Sequence, residues 1–210
     1  MIKNIVFDFG GVFAKIDIVR SMDAFKALGL EDVEKYMDPY TQGGFFGEME
    51  EGHIDGEEFR QKVSELSGHE VSWEDCDRAW HAIIVSVVKG NLQKVLDLRE
   101  KGYRVALLSN TNPYMAGWFR SDKLDGEGHG ISYYIPKEHQ YLSYELKTMK
   151  PGKEIFQKML DGEGFIPEET LFIDDGAGNI KTAQSLGLKT YLPDNGEDWS
   201  DKIETVIKNA

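Results

Sequence analysis

A short apolar segment that ends abruptly in an acidic residue constrains this chain more than any other feature. Residues 5–12 read Ile-Val-Phe-Asp-Phe-Gly-Gly-Val, so β-branched and aromatic side chains lead into Asp8 and then a glycine pair. Such a run is typical of a buried strand that stops at the glycines. In an open α/β sheet, ligands bind beyond the carboxyl ends of the strands. We therefore predict that Asp8 faces a reaction crevice, although an acid that only turns the chain would leave the same local pattern.

The second half of the chain alternates between apolar runs and helical patterns. Strands are predicted at 103–108, 140–143, 170–173 and 188–192. Helices are predicted at 91–101, 153–160, 177–186 and 199–208. Because strands that alternate with helices form a parallel sheet covered on both faces, we predict an α/β fold with a Rossmann-like three-layer core. The polar, glycine-containing segment 122–130 is expected to be an exposed excursion.

The first and second strands are separated by a long stretch with helical patterns only. These patterns cover 16–28 and 56–66, and a third runs from a capping box at Ser72 towards residue 88. We predict a helical lid at 14–89, inserted into a core formed by 1–13 and 90–210.

Several aromatic residues fall inside the predicted lid. Trp73 and Trp80 lie seven positions apart on one predicted helix and are assigned to its core. The segment 43–46, Gly-Gly-Phe-Phe, is either a mobile hinge or, as we favour, a loop that packs its own phenylalanines.

Polar side chains follow two of the later strands directly. Ser109 and Asn110 would place hydroxyl and amide donors at the crevice, but they also suit the cap of a helix that begins at Pro113. Asp174 and Asp175 are adjacent acids, which repel each other unless a cation lies between them. A helix N-terminus also favours acids, but it would satisfy one of them more easily than both.

Together these groups suit phosphoryl transfer. Asp8 can attack phosphorus and form an aspartyl-phosphate, which divides one difficult displacement into two easier ones. Mg²⁺ prefers hard oxygen ligands, which Asp8, Asp175 and a backbone carbonyl can provide. Lys150 precedes Pro151 at a predicted helix start, an unfavourable place for a cation unless an anion lies nearby. Ser109 and Lys150 would then stabilise the phosphoryl oxygens.

The chain also resembles a known family in the order of four short segments: 8–12, 109–110, 150–151 and 174–175. These resemble the four motifs of the haloacid dehalogenase superfamily of hydrolases, and the inserted helices resemble the C1-type cap of one subgroup. Further similarity, at 108–112, 141–143 and 172–175, is to bacterial phosphatases that act on α-D-glucose 1-phosphate.

The resemblance implies a role for each matching residue. Asp8 would be the nucleophile, with Lys150 as the second catalytic residue. The implied Mg²⁺ ligands are Asp8, Gly10 through its carbonyl, Asp174 and Asp175. The implied phosphate-binding or substrate-binding residues are Ser109, Asn110 and Lys150. Asn179 is expected to cap its helix.

Gly10 departs from the family pattern. Most phosphatases of the superfamily carry an aspartate two residues after the nucleophile, and this aspartate protonates the leaving oxygen. Because general acid catalysis typically contributes about 10²–10⁴-fold, its loss should slow the hydrolysis of poor leaving groups most. A lid residue or a water is expected to replace it. Asp17 and His53 lie in the right region, although a solvated acid and a surface histidine are simpler interpretations.

The composition of the chain limits its possible binding partners and its expected location in the cell. The chain has 37 acidic and 24 basic residues and a formal net charge of -13, which disfavours nucleic acid and anionic membranes as partners. Cys76 is the single cysteine, expected to be buried and inert, so no internal disulfide is possible. The sequence shows neither a secretory signal nor an apolar run of membrane length, and we expect a cytoplasmic monomer or homodimer.

The function predicted from the sequence is a Mg²⁺-dependent phosphatase. Its substrate is expected to be a small phosphorylated metabolite, a sugar phosphate such as glucose 1-phosphate, and no nucleic acid or membrane partner is expected. One alternative is a 2-haloacid dehalogenase that uses Asp8 as its nucleophile, but such an enzyme needs no metal. The other is a non-catalytic member of the fold that binds a phosphorylated ligand or a protein.

Overall fold

The computed structural model describes residues 1–37 and 43–210, and within them seven strands form two sheets. The strands are β1 (Asn4–Phe7), β2 (Ala14–Ile16), β3 (Ile84–Val87), β4 (Arg104–Ser109), β5 (Gln140–Leu142), β6 (Thr170–Ile173) and β7 (Lys189–Tyr191). The larger sheet has the order β5-β4-β1-β6-β7, and each of its pairs is parallel. The predicted α/β fold with a central parallel sheet is therefore confirmed.

Helices surround this sheet and fill the segment between β2 and β3. They are α1 (Ile18–Ala27), α2 (Gly44–Glu50), α3 (Gly56–Ser67), α4 (Trp73–His81), α5 (Lys89–Glu100), α6 (Pro113–Arg120), α7 (Ile131–Tyr134), α8 (Ser143–Leu146), α9 (Lys153–Glu163), α10 (Ala177–Ser185) and α11 (Ile203–Asn209). Among the described residues, none of these helices combines the length and apolar character needed to cross a membrane.

Strand β1 lies at the centre of the larger sheet and divides its core into two layers. Its side chains alternate, so Ile5 and Phe7 pack in one apolar cluster with residues of α5, α6 and α11. Val6 points to the opposite face and packs with residues of α9 and α10. Because all three central strands are parallel and in register, their carboxyl ends meet at one edge of the sheet.

The helices between β2 and β3 bury an apolar cluster of their own. Phe45 and Phe46 are buried and contact other aromatic rings of this cluster, so their packing agrees with the prediction, but they lie in helix α2 and not in a loop. Trp80 is buried as predicted, but Trp73 is 41% exposed and lies against the ring of Tyr114 from α6. The assignment of Trp73 to the lid core was therefore wrong.

Three details of the predicted architecture also differ. The helix predicted to run towards residue 88 ends at His81, and the β-branched residues that follow form β3, which pairs antiparallel with β2. The last helix begins at Ile203, not at 199. The segment 122–130 folds around the buried carboxylate of Asp125, which accepts hydrogen bonds from backbone nitrogens and from Tyr134. The segment is exposed at most of its positions, as predicted, but Asp125 anchors it to the core.

Candidate active site

Two neighbouring strands end in the acids that were predicted from the sequence. Phe7 is level with Ile173, so Asp8 follows β1 at the point where Asp174 and Asp175 follow β6. One carboxylate oxygen from each of the three acids lies within 4.8 Å of the others. The structure therefore brings Asp8 together with an acid pair that is far from it in the sequence.

A buried ammonium group adjoins this acidic cluster. Lys150 Nζ lies 2.6 Å from Asp174 Oδ2 and 3.0 Å from Asp8 Oδ1, and the lysine side chain is not exposed to solvent. Burial alone would lower the pKa of Lys150, but the charges of Asp174 and Asp8 outweigh it and the pKa is raised. Lys150 therefore stays protonated and accounts for one positive charge in the site.

That single positive charge does not balance the three acids. Burial raises the pKa of Asp8 to about 6, with Lys150 opposing the shift and Asp174 adding to it. Burial, followed by the charges of Asp8 and Asp174, raises the pKa of Asp175 to about 7. A divalent cation would relieve this repulsion, and the hard carboxylate oxygens are the ligand type that Mg²⁺ prefers. The donor set therefore fits Mg²⁺.

Gly11 allows one of these acids to approach the loop after β1. It has φ +69°, and a Cβ built on it would lie 2.0 Å from Asp175 Oδ2. A larger residue would therefore displace the Asp175 carboxylate as well as strain the backbone. The second glycine of the pair in the sequence has a steric purpose that the strand pattern alone did not indicate.

Asp174 is held more tightly than the other two acids. Its Oδ1 accepts hydrogen bonds from Gly176 N at 2.7 Å and from Asn179 Nδ2 at 3.0 Å. Its Oδ2 accepts from Lys150 Nζ and from Asn179 Nδ2 at 3.1 Å. Asn179 was expected to cap its helix, but its side chain instead fixes both oxygens of Asp174.

Ser109 and Asn110 follow β4, the strand on the other side of β1. Ser109 is buried, and its hydroxyl lies 3.4 Å from the carbonyl oxygen of Asn110. The Asn110 side chain accepts a hydrogen bond from Lys150 N and donates one to Lys150 O, both at 2.8 Å. This contact was not predicted, since the sequence indicated a substrate-binding amide. Asn112 caps α6 by accepting from Met115 N.

Asp8, Asp175 and Lys150 line a cavity of about 540 Å³ between the sheet edge and the inserted helices, whereas Asp174 is buried behind them. Such a volume is typical of small-molecule sites. The core contributes Asp8, Gly10, Asn110, Thr148, Met149, Lys150, Pro151, Gly152 and Asp175, and the inserted segment contributes Ile16, Glu50, Glu51 and Ile83.

Residues 2–187 match the sequence model of the haloacid dehalogenase-like hydrolases. The chain belongs to this family. The predicted family assignment and the prediction of a hydrolase are therefore confirmed. The match covers every strand except β7, the inserted helices and every residue of the cavity.

Relatives of this hydrolase include D-ribitol-5-phosphate phosphatase of Bacteroides thetaiotaomicron. It is 44% identical over 210 residues, and the alignment covers 100% of both chains. A solved HAD-like hydrolase of Porphyromonas gingivalis is 38% identical and covers 99% of this chain and 98% of its own, with TM-score 0.92. A HAD family enzyme of B. thetaiotaomicron, solved with magnesium and inorganic phosphate, is 39% identical and covers 96% of this chain and 98% of its own, with TM-score 0.84.

The cavity of this hydrolase also contains an acid that sequence reasoning missed. Glu50 is 9% exposed, and burial is the main reason that its pKa is raised to about 7. One signal was available, because Glu50 lies four residues after Phe46 and so shares the buried face of α2. However, no helix was predicted at 44–50, and Glu50 stands close to two further acids, Glu48 and Glu51, a composition typical of an exposed surface.

The two residues considered as replacements for the missing acid have other contacts. Asp17 caps α1 by accepting a hydrogen bond from Val19 N at 3.1 Å. The side chain of His53 is 57% exposed and lies 3.5 Å from the carboxylate of Glu51. Asp17 is also exposed, so both residues agree with the simpler interpretations of a solvated acid and a surface histidine.

Proposed function

We propose that this hydrolase is a Mg²⁺-dependent phosphatase that cleaves a small sugar or polyol phosphate through an aspartyl-phosphate on Asp8. One observation carries the proposal: three carboxylates converge beside a buried ammonium group at the wall of a cavity of about 540 Å³. The full-length similarity to a D-ribitol-5-phosphate phosphatase supports the reaction type.

The proposed Mg²⁺ ligands are the side chains of Asp8 and Asp175 and the carbonyl of Gly10. Asp174 is the least favourable of the predicted ligands, because each of its oxygens already accepts two hydrogen bonds. We assign Asp174 to holding Lys150 and Asn179 in place. When bound, Mg²⁺ would neutralise the substrate phosphate so that a carboxylate can approach it.

Asp8 is the proposed nucleophile. One carboxylate oxygen forms a bond to phosphorus while the ester oxygen leaves, and water then hydrolyses the aspartyl-phosphate and restores Asp8. The Lys150 ammonium and the Ser109 hydroxyl stabilise charge on the phosphoryl oxygens. Asn110 keeps Lys150 in position through its two backbone contacts.

The proposed substrate is a phosphate ester of a five- or six-carbon sugar or polyol. Ribitol 5-phosphate is the first candidate because of the 44% identical relative, and glucose 1-phosphate is the second because of the motifs at 108–112 and 141–143. We further propose that residues 14–89 act as a lid, since Ile16, Glu50, Glu51 and Ile83 form its side of the cavity.

Phosphate release from p-nitrophenyl phosphate, ribitol 5-phosphate and glucose 1-phosphate tests this function. Each assay is run with Mg²⁺ and with EDTA, on wild type and on Asp8→Asn. Asp23→Asn, which changes an exposed aspartate of α1, is the matched control. We expect Mg²⁺-dependent release that Asp8→Asn abolishes and Asp23→Asn preserves.

Other outcomes would decide against the proposal. Halide release from a 2-haloacid that persists in EDTA would identify a dehalogenase. Binding of inorganic phosphate without turnover of any ester would identify a non-catalytic member of the fold. Full activity of Asp8→Asn would exclude the aspartyl-phosphate mechanism.

A further inference from the structure

The reaction proposed above needs a proton donor that the acidic cluster does not supply. When an alkyl phosphate is cleaved, the leaving oxygen must gain a proton, and this help typically contributes about 10²–10⁴-fold. Gly10 has no side chain. Asp8 must be ionised to attack phosphorus, and Lys150 is held protonated between two carboxylates. The donor must therefore come from elsewhere in the cavity.

Glu50 lies on the wall of the cavity that the inserted helices form. It is the last residue of α2, and it shares the main cavity with Asp8 and Gly10. It also lines an adjoining cavity of about 90 Å³, together with Gly10, Ser109 and Asn112. Glu50 is thus placed where these two spaces meet.

Close packing after α2 fixes the position of this acid. A Cβ built on Gly52 would lie only 2.0 Å from the carbonyl oxygen of Tyr144, so the chain directly after Glu50 touches the backbone of the core. Gly52 also has φ +72°, a conformation that favours glycine. The contact holds the end of α2, and Glu50 with it, against α8 of the core.

We propose that Glu50 is the general acid for the leaving group, an assignment that rests on the proposed phosphatase function. In the first step, an Asp8 oxygen bonds to phosphorus, the bond from phosphorus to the ester oxygen breaks, and the Glu50 proton passes to that oxygen. In the second step, water attacks the aspartyl-phosphate, its proton passes to Glu50, and the Asp8 carboxylate leaves. Both residues return to their starting states.

The surroundings of Glu50 keep it protonated near neutral pH. Burial is the largest cause of its raised pKa; the Asn112 amide opposes the shift, and the negative charge of Asp8 adds to it. Asn112 Nδ2 is buried and makes no hydrogen bond within the described residues, so it is available to the Glu50 side chain or to a substrate oxygen. The other titratable groups that line the main cavity are Asp8, Glu51, Lys150 and Asp175.

The test compares a poor leaving group with a good one in Glu50→Gln. Ribitol 5-phosphate leaves as an alkoxide that needs a proton, whereas p-nitrophenolate leaves without one. We expect kcat/KM for ribitol 5-phosphate to fall by about 10²–10⁴-fold and kcat/KM for p-nitrophenyl phosphate to change far less. The fall in kcat/KM above about pH 7 with the alkyl ester should disappear in the variant, and Glu50→Asp should restore part of the rate.

Glu48→Gln is the matched control, because it makes the same change on the same helix at a residue that pairs with Lys62. Glu48→Gln should leave kcat/KM unchanged for both substrates. An equal loss for both esters in Glu50→Gln, or a raised KM with unchanged leaving-group dependence, would overturn the assignment. Failure of the proposed function must be told apart from failure of the role of Glu50. If wild type hydrolyses neither ester with Mg²⁺, both the proposed function and the role of Glu50 fail. Activity on p-nitrophenyl phosphate that Asp8→Asn abolishes separates that result from a failure of Glu50 alone.

Discussion

Lys150 Nζ lies 2.6 Å from Asp174 Oδ2, and neither side chain is exposed to solvent. Removing two charges from water carries a large desolvation cost, so a buried ion pair is weak support for stability by itself. Here the ammonium also contacts Asp8 at 3.0 Å, and it is surrounded by more negative than positive charge. The pair is best explained by the proposed function, in which Asp174 holds the Lys150 ammonium beside the phosphate of the substrate.

Replacing this lysine should destabilise the protein in a way that Mg²⁺ reverses. Lys150→Met removes the charge and keeps an apolar side chain of similar length, which leaves Asp8 and Asp174 buried and uncompensated. We expect the free energy of unfolding in EDTA to fall by about 3–5 kcal/mol. Urea denaturation with and without Mg²⁺ measures this, and the gain from Mg²⁺ should be larger than in wild type.

Lys181→Met provides the control for that experiment. Lys181 is an exposed residue of α10, so the same substitution should change the free energy of unfolding by no more than about 0.5 kcal/mol. Equal stability of Lys150→Met and wild type in EDTA would show that the acids are neutral in the folded protein and do not need the lysine charge.

The sequence was most informative where one strand sets the position of the next. Asp8 and Asp174 could be placed together because each directly follows a buried strand, and parallel strands end at one edge. Contacts between loops carry no such periodic signal. The pairing of Asn110 with the backbone of Lys150 joins residues 40 positions apart and depends on the path of both loops. The position of Glu50 depends on how α2 packs against the core, which no local pattern specifies.

The strand β3 illustrates a second limit of sequence reasoning. Its four residues follow α4 after a short gap and are only partly buried, so the helical pattern of α4 was extended through them. The strand exists because β2 lies beside it and supplies hydrogen bonds, and β2 is itself only three residues long. Short strands of this kind depend on their partner more than on their own composition.

Gly11→Ala should weaken Mg²⁺ binding. The new methyl group would meet the Asp175 carboxylate, and the backbone at φ +69° would be strained. We expect a loss of about 1–3 kcal/mol in the free energy of unfolding and a higher Mg²⁺ concentration for half-maximal activity. Gly117→Ala is the control, since Gly117 lies in α6 with open space around it. This substitution should raise the free energy of unfolding by about 0.5–1 kcal/mol. An unchanged Mg²⁺ requirement in Gly11→Ala would contradict the steric argument.

Asn110→Ala should loosen the segment that carries Lys150. The substitution leaves the backbone N–H and C=O of Lys150 without their partners, which costs about 1–3 kcal/mol when such groups stay buried. We expect a lower free energy of unfolding and a reduced kcat/KM that Mg²⁺ does not restore. Asn209→Ala, at an exposed position near the C-terminus, should behave as wild type. If Asn110→Ala raises only KM, with stability unchanged, Asn110 binds substrate and does not position Lys150.

Glu50→Gln should make stability less dependent on pH. The pKa of Glu50 is raised from 4.5 to about 7 on folding, so the folded protein binds this proton more tightly than the unfolded chain does. The resulting stabilisation is complete below pH 4.5 and is lost as pH rises through about 7, where the buried carboxylate must ionise. Glutamine stays neutral throughout.

In urea denaturation with EDTA, Glu50→Gln should therefore match wild type at pH 5 and exceed it at pH 8.5, by up to about 3 kcal/mol. Glu48→Gln should show no such divergence, because the side chain of Glu48 is 46% exposed. If Glu50→Gln and wild type have the same free energy of unfolding at both pH values, the carboxyl group of Glu50 reaches solvent in the folded protein. A group with that access would titrate as an ordinary glutamate and would be ionised at the pH where the leaving group needs its proton.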